Sequence, residues 1–213
     1  MKREFNREEH VYTSDAFEEI IKDTIRFFNG TPVLQLPPSV KFHGTGVYAI
    51  YYIGKSDMYK SLAERNRIEF SMPIYVGKAV PRGWRQARIE TKAEKKSYEL
   101  NGRLNEHARS IAQAKNLTSE DFYCRFMILE RTASSLIGTV EAALIRHYSP
   151  IWNTKIDGFG NHDPGKGRYN QAKSEWDVIH PGRSWAEKCL GEGPDHNKVE
   201  ERIAEYFTKW KSK

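Results

Sequence analysis

The sequence predicts an α+β protein in which a small, mainly antiparallel, three-stranded sheet is flanked by helices. Three segments rich in β-branched and aromatic residues, at 46–53, 73–79 and 122–129, have the composition of strands. Stretches with apolar residues at helical spacing lie before, between and after them. Strands and helices in this order build one sheet with helices packed against it.

Length and composition favour one folded domain that spans 1–213. A chain of 213 residues can bury a substantial core. Hydrophobic residues make up 38% of the chain and aromatic residues 12%, which excludes a disordered protein. No run approaches the roughly 18 to 20 apolar residues of a membrane span, and the first residues lack the apolar core of a secretory signal. We therefore expect a soluble, cytoplasmic protein.

An N-terminal arm, 1–43, is predicted to carry one helix at 14–29. Ser14 or Asp15 can cap the start of this helix, and a glycine follows its last turn. The helix has one apolar face, which consists of Phe17, Ile20, Ile21, Ile25 and Phe28.

The following segment, 44–153, is predicted to form the core of the domain. Alternation in the first strand places Tyr48, Ile50 and Tyr52 on one face of the sheet, and Val47, Ala49 and Tyr51 on the other. The other predicted segments are a polar insertion at 54–71, a basic insertion at 80–98, helices at 99–115 and 135–148, and a C-terminal extension at 154–213 that ends in a helix at 194–211.

Positive charge is concentrated in one part of the chain. The net charge is +6, and the stretch from Lys78 to Lys115 holds ten basic and four acidic residues, an excess equal to that of the whole chain. A field of this sign favours a polyanionic partner; the alternative is a solvated charged face. The two cysteines, Cys124 and Cys189, form no CxxC pair, so we expect reduced thiols and no structural zinc site.

Four residues on two strands and one helix suit phosphate chemistry. Tyr48 and Tyr75 fall on strands that can bring both rings to one face of the sheet, although strand tyrosines are also ordinary core residues. Arg103 and His107 are four residues apart and share one face of a helix. Two cations there suit a phosphate, and the alternative is an ordinary basic helix face.

A carboxylate and an amide complete the set. Glu141 is four residues from Ile137 and from Ile145, so it projects toward the apolar side of its helix. A carboxylate in such a place needs a partner, which is either a metal ion or a cation such as Arg146. Asn153 follows the helix directly and is either a site residue or a turn residue.

Taken in order, these residues resemble the GIY-YIG nuclease superfamily over 44–153. Gly46-Val47-Tyr48 stands where the family has Gly-Ile-Tyr, and Tyr75-Val76-Gly77 stands where it has Tyr-Ile-Gly. The family's arginine with its helical partner, its metal-binding glutamate and its Pro-x-x-Asn asparagine are matched by Arg103 with His107, Glu141 and Asn153. A literal Tyr52-Ile53-Gly54 also occurs, but it lies in the same strand as Tyr48 and cannot supply the neighbouring strand.

The insertions and the extension resemble the restriction-endonuclease branch that reads the palindrome CCGCGG. This resemblance implies hydrolysis of double-stranded DNA with one Mg²⁺ held by Glu141, the scissile phosphate on Arg103, and Tyr48 as the general base or its relay. It further implies that Tyr75 orients water or phosphate and that Asn153 anchors the site. A homodimer, which cuts both strands of a palindrome, and a companion DNA methyltransferase in the cell also follow from the resemblance.

Basic residues outside the motifs are the candidates for DNA contact. An arginine forked onto guanine suits a GC-rich site, and a phosphate contact or solvent exposure is the alternative for each. The candidates are Lys78, Arg82, Arg85, Arg88, Lys92, Lys95, Lys96, Lys166, Arg168 and Arg183. The rival functions are a homing or repair nuclease of the same superfamily and a non-catalytic DNA-binding protein on the same scaffold. Competent residues at every site position argue against the last of these.

Overall fold

The computed structural model describes residues 4–81, 83–84 and 97–211. Its centre is an antiparallel sheet of four strands in the order β1-β4-β2-β3. The strands are β1 (Val33–Gln35), β2 (Gly46–Tyr52), β3 (Tyr75–Ala79) and β4 (Phe122–Ile128). The α-helices within the described residues are α1 (Asp15–Gly30), α2 (Lys60–Ile68), α3 (Glu99–Gln113), α4 (Ile137–Tyr148), α5 (Ile151–Thr154), α6 (Glu175–Ile179) and α7 (His196–Lys211).

The predicted α+β class is confirmed, but the sheet has four strands instead of three. The fourth strand, β1, is only three residues long and pairs with β4 at one edge of the sheet. The polar insertion at 54–71 also contains a helix that the sequence pattern did not predict, α2. Only Leu62, Ala63 and Asn66 of α2 are buried, which is too few apolar contacts to leave a periodic signal.

The central strand β2 is buried on both faces, as its dense apolar sequence predicted. Tyr48, Ile50 and Tyr52 point into one core, which α2, α3 and the C-terminal extension cover. Val47, Ala49 and Tyr51 point into a second core under α1 and α4. The predicted alternation is thereby confirmed, and it places Tyr48 on the same side of the sheet as α3.

The N-terminal helix forms as predicted, with Ser14 as its cap: the Ser14 hydroxyl accepts a hydrogen bond of 3.3 Å from the Phe17 amide. Its predicted apolar face is not all covered. Phe28 is buried, whereas Phe17 and Ile20 are 44% and 46% exposed. Part of this amphipathic face therefore faces solvent.

A buried ion pair holds separate parts of the extension to one another. Arg183 donates hydrogen bonds of 2.6 and 2.7 Å to the Asp177 carboxylate, and the side chain of Arg183 is only 1% exposed. It also donates to three backbone carbonyls, those of Gly158, Phe159 and Asn161. The structure therefore corrects the expectation that Arg183 contacts DNA, because its guanidinium is enclosed and its donors are engaged within the chain.

Both cysteines are buried free thiols. Among the described helices, none combines the length and the apolarity needed to cross a membrane.

Candidate active site

The two motif strands are adjacent, and their register places Tyr48 opposite Gly77. A Cβ atom on Gly77 would lie 2.4 Å from the Tyr48 hydroxyl oxygen and 3.0 Å from the ring of Tyr75. A Cβ on Gly46 would lie 2.0 Å from the carbonyl oxygen of Met127 on β4. The glycines of both motifs are thus needed for close packing: Gly77 makes room for the phenols, and Gly46 lets β2 approach β4.

Tyr48 is hydrogen bonded to His107 of α3, with 2.6 Å between the phenol oxygen and Nε2. Both side chains are buried, at 1% and 2% exposure. Burial raises the pKa of the Tyr48 phenol well above its usual value, and burial together with the Arg103 cation lowers the pKa of His107 well below its usual value. The pair therefore consists of a protonated phenol and a neutral imidazole, so that the phenol can donate to Nε2.

Arg103 lies one helical turn before His107 and on the same face of α3. Its guanidinium donates to the Glu106 carboxylate at 2.9 Å and to the Gly160 carbonyl at 3.0 Å, and it contacts His162. Its positive charge also lowers the pKa values of Tyr48 and Tyr75, although burial raises both more strongly. The guanidinium thus lies beside both phenols.

Glu141 of α4 forms an ion pair with Lys78 of β3. The carboxylate side chain is 18% exposed, and it is close enough to both phenols to raise the pKa values of Tyr48 and Tyr75. The side-chain cation that contacts Glu141 is Lys78 and not Arg146. Lys78, a candidate DNA contact, therefore lies within the site itself.

Asn153 lies in α5 and binds the backbone of β3. Its amide oxygen accepts from the Val76 amide and its amide nitrogen donates to the Val76 carbonyl, both at 2.8 Å. Val76 stands between Tyr75 and Gly77, so Asn153 fixes the second motif strand against the helix that follows α4. The hydrogen bonds of the Asn153 side chain go to this backbone and not to a phenol; Asn153 fixes the backbone next to Tyr75 and thereby the position of the Tyr75 ring.

Three residues of the extension belong to the site and were not found by sequence reasoning. The ring of Phe159 stacks on His107, with 4.5 Å between the centroids. A Cβ on Gly160 would lie 3.0 Å from the Tyr75 hydroxyl, and His162 contacts Arg103. We call residues 158–162 the extension loop. Its contacts with the site join residues that are far apart in the sequence, and no local motif marks them.

A cleft of about 300 Å³ opens beside Arg103. Its walls come from β3, α3 and the extension loop, with Lys78, Glu99, Gly102, Arg103, Glu106 and His162 among the lining residues. Of the other candidates for DNA contact, Lys166 and Arg168 are exposed on a short turn of the extension. Six candidates lie outside the described residues: Arg82, Arg85, Arg88, Lys92, Lys95 and Lys96.

The residues present fit a single divalent cation of the Mg²⁺ type. Such ions take oxygen ligands and are commonly held by one or two carboxylates together with substrate phosphates. Glu141 supplies one carboxylate next to the phenols, and a positive charge, the Lys78 ammonium, already lies against it. In the part of the chain that the structure describes, no three His, Cys, Asp or Glu side chains form a metal-binding group, so a site built by protein ligands alone is not found there.

Comparison with known proteins gives a family match over most of the chain. Residues 40–207 match the family described as the Eco29kI GIY-YIG domain. The match starts before the first motif and runs through most of the extension, so the extension loop lies within the matched domain. The sequence matches no curated protein.

Proposed function

Since the chain belongs to the Eco29kI GIY-YIG family and is therefore a nuclease of the restriction-endonuclease type, we propose that it cuts double-stranded DNA at a short palindrome. The proposed target is CCGCGG, the reaction is hydrolysis of a phosphodiester, and the cofactor is one Mg²⁺ per site. The active form is a homodimer, and a DNA methyltransferase of the same specificity protects the host DNA.

The observation that carries this proposal is the meeting of two phenols, an imidazole, a guanidinium and a carboxylate at one side of β2 and β3. Tyr48 contacts His107, Arg103 lies beside both phenols, and Glu141 raises the pKa of each phenol. Phosphodiester hydrolysis needs a proton acceptor for water, positive charge on the phosphoryl oxygens and stabilisation of the leaving oxygen. The side chains of this site, with the cation that Glu141 would hold, can supply each of the three.

In the proposed mechanism Tyr48 acts as a relay. Its pKa is raised, so it is protonated at neutral pH and cannot accept a proton unless it gives one away. The neutral His107 is positioned to take that proton at Nε2 while the phenol oxygen accepts one from the attacking water. The two transfers leave Tyr48 protonated and His107 as imidazolium, a charge that the approaching phosphate stabilises.

Arg103, Glu141 and Tyr75 act on the phosphate. The guanidinium fork of Arg103 grips two phosphoryl oxygens in a geometry that a lysine cannot reproduce. Glu141 would hold Mg²⁺, which supplies charge neutralisation at the phosphate and acidifies bound water. The ring of Tyr75 lies 6.3 Å from that of Tyr48 between centroids, so its hydroxyl can orient the reactants beside the relay.

A dimer is expected because one chain carries one site, whereas a palindrome is cut on both strands. The uncovered apolar side chains of α1, Phe17 and Ile20 among them, support an association of this kind, because exposed apolar surface commonly marks protein contacts. Light scattering of the protein on a CCGCGG duplex measures the stoichiometry. Two chains per duplex are expected, and a persistent single chain would contradict the dimer.

Incubation of plasmid DNA with the protein in Mg²⁺ or in EDTA tests the proposed function. Discrete fragments that appear only with Mg²⁺ and end within CCGCGG are expected. Random nicking would indicate a nuclease without this specificity. Binding without cleavage would leave only a DNA-binding scaffold.

The two motif tyrosines are expected to be essential, and a third strand tyrosine is not. Tyr48→Phe removes the relay hydroxyl and should lower cleavage by about 100- to 10,000-fold; Tyr75→Phe should also lower it. Tyr52→Phe is the matched control, because its hydroxyl accepts a hydrogen bond of 2.9 Å from the Ser56 amide instead of contacting His107. If Tyr52→Phe were the damaging change and Tyr75→Phe harmless, Tyr75-Val76-Gly77 would not be the second motif.

Gly77, the glycine of the second motif, is expected to be needed for activity because it leaves room for the phenol of Tyr48. Gly77→Ala should lower nuclease activity by about 100-fold. The added methyl group would push the buried phenol of Tyr48 away from its place beside His107. Cleavage of plasmid DNA at saturating Mg²⁺ measures this effect. Gly167→Ala is the matched control, since a Cβ there meets nothing within 4 Å. Equal activity of the two variants would show that the position of the Tyr48 ring is not critical.

A further inference from the structure

Arg103 is held from the far side of the cleft by a residue that belongs to no motif. Its Nη1 is hydrogen bonded to Nε2 of His162 and lies 3.5 Å from Nδ1. Its Nη2 donates to the Gly160 carbonyl at 3.0 Å. A guanidinium can only donate, so the ring nitrogen of His162 that it contacts must be an acceptor and carries no proton.

We propose that His162 is a positioning residue for Arg103. The neutral imidazole accepts a hydrogen bond from the guanidinium and, together with the Gly160 carbonyl and the Glu106 carboxylate, holds the fork in the orientation that grips the phosphate. The role in catalysis rests on the nuclease function proposed above, whereas the contact itself does not.

The extension loop is built to hold its place. Arg183 donates to the carbonyls of Gly158, Phe159 and Asn161 at 2.8 to 3.2 Å from inside the protein. The ring of Phe159 is stacked on His107. The residues of the loop before His162 are thus held by buried groups, and this fixes the position of His162 beside Arg103.

The same geometry makes the support sensitive to pH. Among the described residues, the charged groups near His162 are Arg103, Glu106 and Glu99 on α3, Arg183 beneath the loop, and Lys78 across the cleft. Partial burial and the cations Arg103 and Arg183 lower the pKa of His162, and Glu106 opposes them. Protonation would remove the acceptor and set a second cation beside Arg103. The support is therefore present above this lowered pKa and is lost as the pH falls through it.

An NMR titration of the histidines tests the contact without any DNA. His162 is assigned by the signal that disappears in His162→Gln. In Arg103→Met the pKa of His162 should move up toward its ordinary value, because the neighbouring cation is gone. An unchanged titration of His162 in Arg103→Met would overturn the proposal.

The pH dependence of plasmid cleavage tests the role. His162→Ala should lower kcat by about tenfold at pH 8. His162→Gln, whose amide oxygen accepts a hydrogen bond at every pH, should restore most of that loss and keep more of its activity on acidification than the wild type does. His10→Gln is the matched control, because His10 is an exposed histidine of the N-terminal arm, and its profile should equal that of the wild type.

The outcomes separate the two claims. Wild-type profiles for both His162 variants would overturn the positioning role. A wild-type protein that cleaves no DNA would overturn the proposed function and the catalytic role with it, whereas the titration would still decide whether Arg103 and His162 interact.

Discussion

Replacing Glu141 by glutamine is expected to reduce DNA cleavage by about 1,000-fold or more, the loss expected when a central charge-stabilising group is removed. The amide keeps the shape of the side chain but loses the negative charge that would hold Mg²⁺. The affinity for a CCGCGG duplex should not fall, because the carboxylate beside Lys78 and the phenols repels phosphate and makes no favourable contact with DNA of its own. Single-turnover cleavage in Mg²⁺ and a binding isotherm in EDTA measure the two effects separately.

Glu130→Gln is the control for this variant, since Glu130 is an exposed carboxylate outside the site. The stability of Glu141→Gln should stay close to that of the wild type, because partly exposed ion pairs such as Lys78–Glu141 contribute little to folding. A Glu141→Gln protein that cleaves at the wild-type rate would exclude Glu141 as the metal ligand.

Replacing Arg183 by methionine is expected to destabilise the fold by about 3–5 kcal/mol, the usual cost of leaving one partner of a buried ion pair alone. Asp177, which is 2% exposed, would then have the hydroxyl of Ser174 beside it but no guanidinium as its partner. For a domain of this size the melting temperature should fall by about 6–20 °C. Differential scanning calorimetry measures this change.

Arg168→Met is the matched control, because Arg168 is an exposed arginine of the same extension. It should leave the melting temperature unchanged. The opposite result, a stable Arg183→Met protein with weaker DNA binding and a smaller salt dependence, would restore Arg183 as a phosphate contact. The double change Asp177→Asn with Arg183→Met should cost less than the two single changes together, because no buried charge is then left unpaired.

Sequence patterns predicted the centre of the fold well, because there the local preference and the tertiary environment agree. The alternation of β2 and the apolar stripes of α3 and α4 each identify a buried face, and packing then uses those faces. The pairing of β2 with β3, and with it the choice of Tyr75 over the literal Tyr52-Ile53-Gly54, followed from the need for a neighbouring strand.

The elements that were missed depend on partners far away in the chain. The strand β1 is three residues long and exists because β4 offers it an edge. The helix α2 is mostly polar, so periodicity does not reveal it. The sequence pattern predicts that a charged residue in a glycine- and proline-rich segment lies at the surface. Arg183 is buried because Asp177 and three backbone carbonyls accept its hydrogen bonds.

The same limit applies to the site. The motif positions predict Tyr48, Arg103, His107 and Glu141 as site residues, and the structure places these side chains near one another. His162 and Phe159 reach them only through the folding of the extension. Residues that contact a site from a distant part of the chain form no motif of fixed spacing, so the sequence does not reveal them.

The most direct test is a crystal structure of the Tyr48→Phe variant bound to an uncut CCGCGG duplex in Mg²⁺. We expect one DNA phosphate on the Arg103 guanidinium and a metal ion between that phosphate and the Glu141 carboxylate. A duplex whose nearest phosphate lies away from Arg103, or a metal ion bound elsewhere, would contradict this expectation.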